Sequence, residues 1–151
     1  MESVKKDRIE RVKKLMAAHE LDAVLVSNCS LGNLNTWLLA GEGMPMHIPF
    51  NRNNLCLVTS DGEVIELCAR MPHPCDWGKF PLITETDLAP YLPHKRLGLV
   101  NPAYLKKVVR DDLKEKYDAQ LIDISDEFHL LKMEKTGEEI EGIRRAAARF
   151  D

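Results

Sequence analysis

Arg96-Leu97-Gly98-Leu99-Val100 and, twenty residues on, Gln120-Leu121-Ile122-Asp123-Ile124 are the two runs that settle the architecture. Both runs are short, largely apolar and bounded by polar residues, the signature of strands. Between them Leu105, Val108, Val109 and Leu113 recur at helical spacing. Pro102 suits the first turn of that helix, predicted over about 102–116, because its missing N–H has no intrahelical partner there anyway. Strand, helix, strand is the unit of layered α/β architecture, and strands joined by helices are expected to run mostly parallel.

The same alternation extends toward the N-terminus. Residues 5–20 read as a helix with Ile9, Val12, Leu15 and Met16 on one face. Leu21-Asp22-Ala23-Val24-Leu25-Val26-Ser27 reads as a strand apolar on both faces, hence central. Asn28-Cys29-Ser30 is a natural N-cap region for a second helix over about 31–40, carrying Leu34, Trp37, Leu38 and Leu39 and stopping at Gly41. Leu55–Thr59 and Val64–Cys68 flank Ser60-Asp61-Gly62-Glu63, which predicts a β-hairpin with Asp-Gly in a type I′ turn. The Pro-rich segment around Pro72, Pro74 and Pro81 predicts a surface loop over 71–81. After the last strand, Asp126 is placed to cap a short helix holding Phe128, Leu130 and Leu131. The expected fold is therefore α/β: three layers, α/β/α, around a mixed sheet of roughly five strands containing one hairpin. No internal repeat or low-complexity tract interrupts it.

Composition narrows the function. The chain has 151 residues, 44% hydrophobic and 30% charged, values of one globular domain. A net charge of −3 argues against a nucleic-acid binder, and the basic cluster Lys5, Lys6, Arg8, Arg11, Lys13, Lys14 is interleaved with Asp7 and Glu10, as on the wet side of a helix. No run approaches the ~20 apolar residues of a membrane span, and residues 1–5 lack the order of a secretory signal. Cys29, Cys56, Cys68 and Cys75 contain no C-x-x-C, so buried thiols in a reducing cytoplasm are expected rather than a zinc site. His-Glu-x-x-His, Gly-x-Ser-x-Gly, Walker and Gly-x-Gly-x-x-Gly patterns are all missing from the sequence. His19, His94 and His129 read as structural. The pairs Asp111-Asp112 and Glu138-Glu139 read as an exposed helix face and a helix cap, without a converging partner for acid–base work. A nuclease would need acidic residues on the central strands to hold Mg²⁺, and Leu25, Val26 and their neighbours supply none.

The closing segment, Leu131-Lys132-Met133-Glu134-Lys135-Thr136-Gly137-Glu138-Glu139-Ile140, continuing to Asp151, is the most specific part of the chain. Thr136 and Glu139 form a T-x-x-E capping box, and Glu138 and Glu139 place negative charge at the positive end of the helix dipole. Ile140, Ile143, Ala147 and Phe150 make one apolar stripe. Ending on Phe150-Asp151 without a C-cap signal, the pattern predicts a helix that continues beyond Asp151, with its last turn frayed or resting on another molecule and its early turns packed on the domain.

This segment resembles the Leu-Arg-x-x-Lys-(Ser/Thr)-x-x-Glu-Ile-x-x-(Leu/Ile)-Arg-x-Ala run that ends the N-terminal domain in the creatinase/prolidase/Xaa-Pro aminopeptidase family. Leu131, Lys135, Thr136, Glu139, Ile140, Ile143, Arg144 and Ala146 match in order, and Lys132 stands where Arg is more usual. Asn35-Thr36-Trp37-Leu38-Leu39-Ala40-Gly41 is similar to the family's Asn-x-x-Tyr-Leu-Thr-Gly segment, with Leu38 in place of Tyr. The hairpin and the strand 96–100 fit the same order of elements. Loops 42–53 and 71–81 match nothing in that pattern.

The resemblance implies an N-terminal α/β domain over 1–133, loosely like ribonuclease H in topology, and the start of an interdomain connector helix over 134–151. It implies that the catalytic pita-bread domain, whose Asp, Asp, His, Glu, Glu set holds two divalent ions (Mn, Co or Zn), is not in this sequence. This chain alone is then not an enzyme, while its parent is an Xaa-Pro metallopeptidase acting on a peptide or other small molecule. The domain is expected to support a homodimer and to cover the partner's active site, with His47, Arg52, His73 and Trp77 as substrate-rim residues. A stand-alone interaction module and the N-terminal domain of a creatinase-like C–N hydrolase are the alternatives.

Overall fold

The computed structural model describes residues 2–27, 54–68 and 87–149. The expected helix over 31–40 and the loops 42–53 and 71–81 lie outside them. The first helix, α1 (Glu2–Ala18), begins three residues earlier than expected and buries Val4, Ile9, Val12 and Met16. It stops in a Schellman turn: Glu20 adopts left-handed φ of 52°, Leu21 N donates to Met16 O (2.9 Å) and Glu20 N to Ala17 O (3.3 Å). The following apolar contact, Leu21 against the Met16 cluster, fixes the angle at which the chain enters the sheet.

Strand β1 (Ala23–Ser27) is buried at every position, as a central strand must be. Strands β2 (Asn54–Thr59) and β3 (Val64–Cys68) form the expected hairpin, with Val58 opposite Val64. Its turn is not type I′, which would need positive φ at both Asp61 and Gly62. Only Gly62 is left-handed, at 91°, and its N–H donates to Thr59 O (3.0 Å), leaving a three-residue loop that ends in a G1 bulge. The Thr59 hydroxyl explains the difference. It bonds the Asp61 carboxylate and accepts from Glu63 N (3.0 Å), stabilising the longer loop, and the Asp61 carboxyl is held below its usual range chiefly by that hydroxyl.

Strand β4 (Arg96–Val100) has the bounds read from sequence. The helix after it starts later. Pro102 opens a single 3₁₀ turn to Tyr104, Leu105 turns extended (φ −78°, ψ 124°) to bury its side chain, and α2 (Lys107–Glu115) begins beyond it. Burying Leu105 under the sheet outweighs the continuity of one helix. Strand β5 (Gln120–Asp123) and helix α3 (Ser125–Met133) follow. The cap of α3 is not Asp126, which lies inside its first turn; Asp123 accepts from Ser125 N (3.0 Å) instead. Helix α4 (Gly137–Ala147) ends the described chain.

The sheet order is β3-β2-β1-β4-β5, with β1–β2 and β2–β3 antiparallel and β1–β4 and β4–β5 parallel, a ribonuclease H-like order. Alternate residues feed two cores. Val24, Val26, Cys56, Val58 and Val100 meet α1 and α3 through Val12, Met16 and Phe128. Leu25, Leu55, Leu57, Leu97 and Leu99 meet α2 through Val109 and Leu113, with Leu88 and Leu92 alongside. The result is the expected three-layer α/β/α fold around a mixed five-stranded sheet.

Gly98 has a packing duty. A Cβ there would stand 2.7 Å from Leu21 Cδ1 and 3.0 Å from Ile124 Cδ1, so glycine lets both side chains close over β4. Gly98→Val is expected to cost about 1–3 kcal/mol through overpacking. Urea unfolding checks this; an unchanged midpoint would show that the two side chains have room to move.

Candidate functional site

The rim residues expected from the resemblance, His47, Arg52, His73 and Trp77, all lie outside the described residues. Among the described residues, no three or more His, Cys, Asp or Glu side chains are placed to hold a metal ion, so these residues do not fit a two-metal set. No described helix is long and apolar enough to cross a membrane. Cys56 is buried in β2. Among the described residues, two places, at the end of the sheet and beside α1, bear on function.

The first is the carboxyl end of the parallel strands. Asn101, left-handed at φ 57°, follows β4, and its N–H donates to Ser125 Oγ (2.9 Å). Ser125 Oγ donates in turn to Asp123, and the exposed His129 lies with Nε2 3.2 Å from Asn101 Oδ1. His129 thus belongs to the rim of the sheet. The buried Ser27 hydroxyl ends the neighbouring β1 without a hydrogen-bond partner among the described residues. These groups close the βα turns on themselves and present no nucleophile–base pair.

The second is the elbow between α3 and α4, and it was missed in sequence. The capping box of α4 is formed as expected: Glu139 N donates to Thr136 Oγ1 (3.2 Å) and Thr136 N to Glu139 Oε2 (2.8 Å). The other carboxylate oxygen, Oε1, accepts from Arg8 Nε (3.0 Å) and Nη2 across 131 positions of sequence. Arg11, one turn along α1, donates through Nη1 to Glu134 O (3.0 Å) and Leu131 O (3.5 Å) and pairs with Asp7 at 2.7 Å. The wet-face reading of the basic cluster therefore fails at Arg8 and Arg11, whose side chains are 14% and 17% exposed; Lys6 and Lys14 keep it. Partly buried, charge-assisted bonds of this kind contribute about 1.5–3 kcal/mol, against roughly 0–1 for an exposed pair. The one usable signal was the position of Arg8 and Arg11 one turn apart, bordering the Ile9 and Val12 face.

The apolar stripe of α4 is not what docks it. No residue of α4 is buried, and Ile140 and Ile143 are 40% and 57% exposed, so the early turns meet the domain through polar contacts, that of Glu139 among them, rather than through apolar burial. Burial raises the Glu139 carboxyl, but the Thr136 amide, the Arg8 hydrogen bonds and the Arg8 charge outweigh it, so the group sits below its ordinary 4.5. A carboxyl depressed in the folded state contributes stability above the unfolded value and loses it as pH falls through the lowered one. Docking of α4 is therefore expected to weaken only below pH 4.5. Carbon-detected NMR titration of the Glu139 carboxyl checks this; a midpoint at or above 4.5 would contradict the pairing.

The described residues form an α/β domain of ribonuclease H-like strand order, whose last described helix is fastened by charge. Among solved structures it is similar to a prolidase from Pyrococcus horikoshii OT3, at TM-score 0.51 and 14% identity over 89% of this chain. It is likewise similar to a proline dipeptidase from Streptococcus pneumoniae TIGR4, at TM-score 0.52 and 13% identity over 84% of this chain. The chain spans 37% of the first solved chain and 98% of the second. No family model and no curated protein matches it. At such identities the likeness establishes the fold alone, a fold this chain shares with prolidase structures.

Proposed function

We propose that residues 1–133 are the non-catalytic N-terminal domain of an Xaa-Pro dipeptidase or aminopeptidase, and that 134–151 begin the connector to its catalytic half. One observation carries this reading: the fold likeness covers 89% of this chain but 37% of a prolidase chain, leaving most of that protein for another region. The matched closing motif, Leu131 to Ala146, supports it from the sequence side. In this reading the parent is a hydrolase whose two divalent ions (Mn, Co or Zn) are held by a following pita-bread domain. It is a cytoplasmic homodimer acting on proline-containing peptides, in which this domain covers the partner's active site. His47, Arg52, His73 and Trp77 would then edge that site and select substrate.

Reading the gene beyond codon 151 tests the proposal. An open frame more than twice this length, encoding an Asp, Asp, His, Glu, Glu ligand set, supports it. A frame closing at that codon overturns it and favours a stand-alone interaction module. The half-exposed Ile140 and the exposed Ile143 are the observation that would then matter.

A further inference from the structure

Helix α4 poses a physical problem. It has eleven residues, none of them buried, and a helix of that length is marginal in water without tertiary support. Its Thr136–Glu139 box and the acidic residues of its first turn favour the helical state, but they do not orient the helix against the domain. Orientation needs contacts to another element, and the one at Glu139 comes from α1. Arg8 grips Glu139 at the first turn of α4, while Arg11 holds Leu131 O and Glu134 O, carbonyls at the end of α3 that the helix itself cannot satisfy. Asp7 in turn braces Arg11 from the same helix.

We infer that Arg8 and Arg11 form an ionic latch which fixes the direction in which α4 leaves the domain. Apolar burial does not hold it. The latch is anchored in a helix whose other face, Ile9, Val12 and Met16, is part of the core, so it is a rigid reference. Glu139 is the shared part: one oxygen completes the cap and the other takes the guanidinium, so forming the helix and aiming it become one event. Ile140 and Ile143 are thereby left outward, available to whatever α4 meets.

Residual dipolar couplings of backbone amides test this on the 151-residue chain. In the unsubstituted protein, couplings of residues 138–147 should fit the alignment tensor of β1 and β4. In an Arg8→Met/Arg11→Met variant they should shrink toward zero while the strand couplings persist. Glu139→Gln is the milder second variant: glutamine still completes a capping box but carries no charge for Arg8. It should reduce the α4 couplings by an intermediate amount, and adding Arg8→Met to it should produce less than the sum of the two separate changes. Ile140→Ala/Ile143→Ala should leave the couplings as they are. Couplings unchanged in Glu139→Gln, or a loss caused by the isoleucine changes instead, would overturn the latch.

Discussion

Phe128→Ala is expected to destabilise the protein by about 3–5 kcal/mol, the range for deleting a buried aromatic side chain. Phe128 is fully buried, and it joins Ile124, Val12, Met16 and Val100 in the core beneath α1 and α3. Truncation removes contacts from both helices at once, and a cavity lined by strand residues that cannot move far collapses poorly. Domains of this kind have about 5–15 kcal/mol in total, so the variant should unfold at a much lower urea concentration. Leu130→Ala, two positions away at 62% exposure, is the control and should change stability by about 0.5 kcal/mol or less. Equal effects from the two changes would show that α3 does not pack as described.

The second large effect is expected at Asp22, a carboxylate 5% exposed at the foot of β1. Its Oδ2 accepts from His94 N (3.0 Å) and Arg96 N (2.9 Å), and its own N–H donates to Arg96 O (2.9 Å). Arg96 completes the knot through Nη2 to His19 O (3.0 Å), Nε to Glu20 O (3.0 Å) and Nη1 to Gln120 Oε1 (2.8 Å). One guanidinium thus satisfies the end of α1, where a positive charge also suits the dipole, and ties it to β4 and β5. Asp22→Ala strands two amides in a partly buried corner, at about 1–3 kcal/mol for an unsatisfied buried group. A total near 2–4 kcal/mol is expected, with Asp22→Asn costing less because its carbonyl can still accept. Urea unfolding with amide exchange at His94 and Arg96 measures it; protection unchanged at both amides would contradict the assignment.

What was legible in the sequence was whatever local chemistry decides. Arg96–Val100 forms a strand over the bounds read from it because its apolar side chains meet both cores, and the Thr136–Glu139 box forms because both partners sit within one turn. The hairpin was legible, but its turn type was not, since the Thr59 hydroxyl competes with the Asp-Gly preference. Leu105 breaks a well-patterned helix because its burial is a tertiary fact. The contacts of Arg8, Arg11 and Asp22 that join elements were illegible for the same reason: those partners lie between 72 and 131 positions away. Of the expected rim, His47, Arg52, His73 and Trp77, the described residues contain none. The family resemblance therefore rests on the closing motif and the sheet order.

If this domain belongs to a proline-specific peptidase, as proposed, the whole product of the gene, purified with Mn²⁺, should discriminate Ala-Pro from Ala-Ala. Rapid release of proline from Ala-Pro, with Ala-Ala left nearly intact, is the predicted result. A product that cleaves neither Ala-Pro nor a longer Xaa-Pro peptide, or that cleaves Ala-Ala as fast, would contradict the proposal.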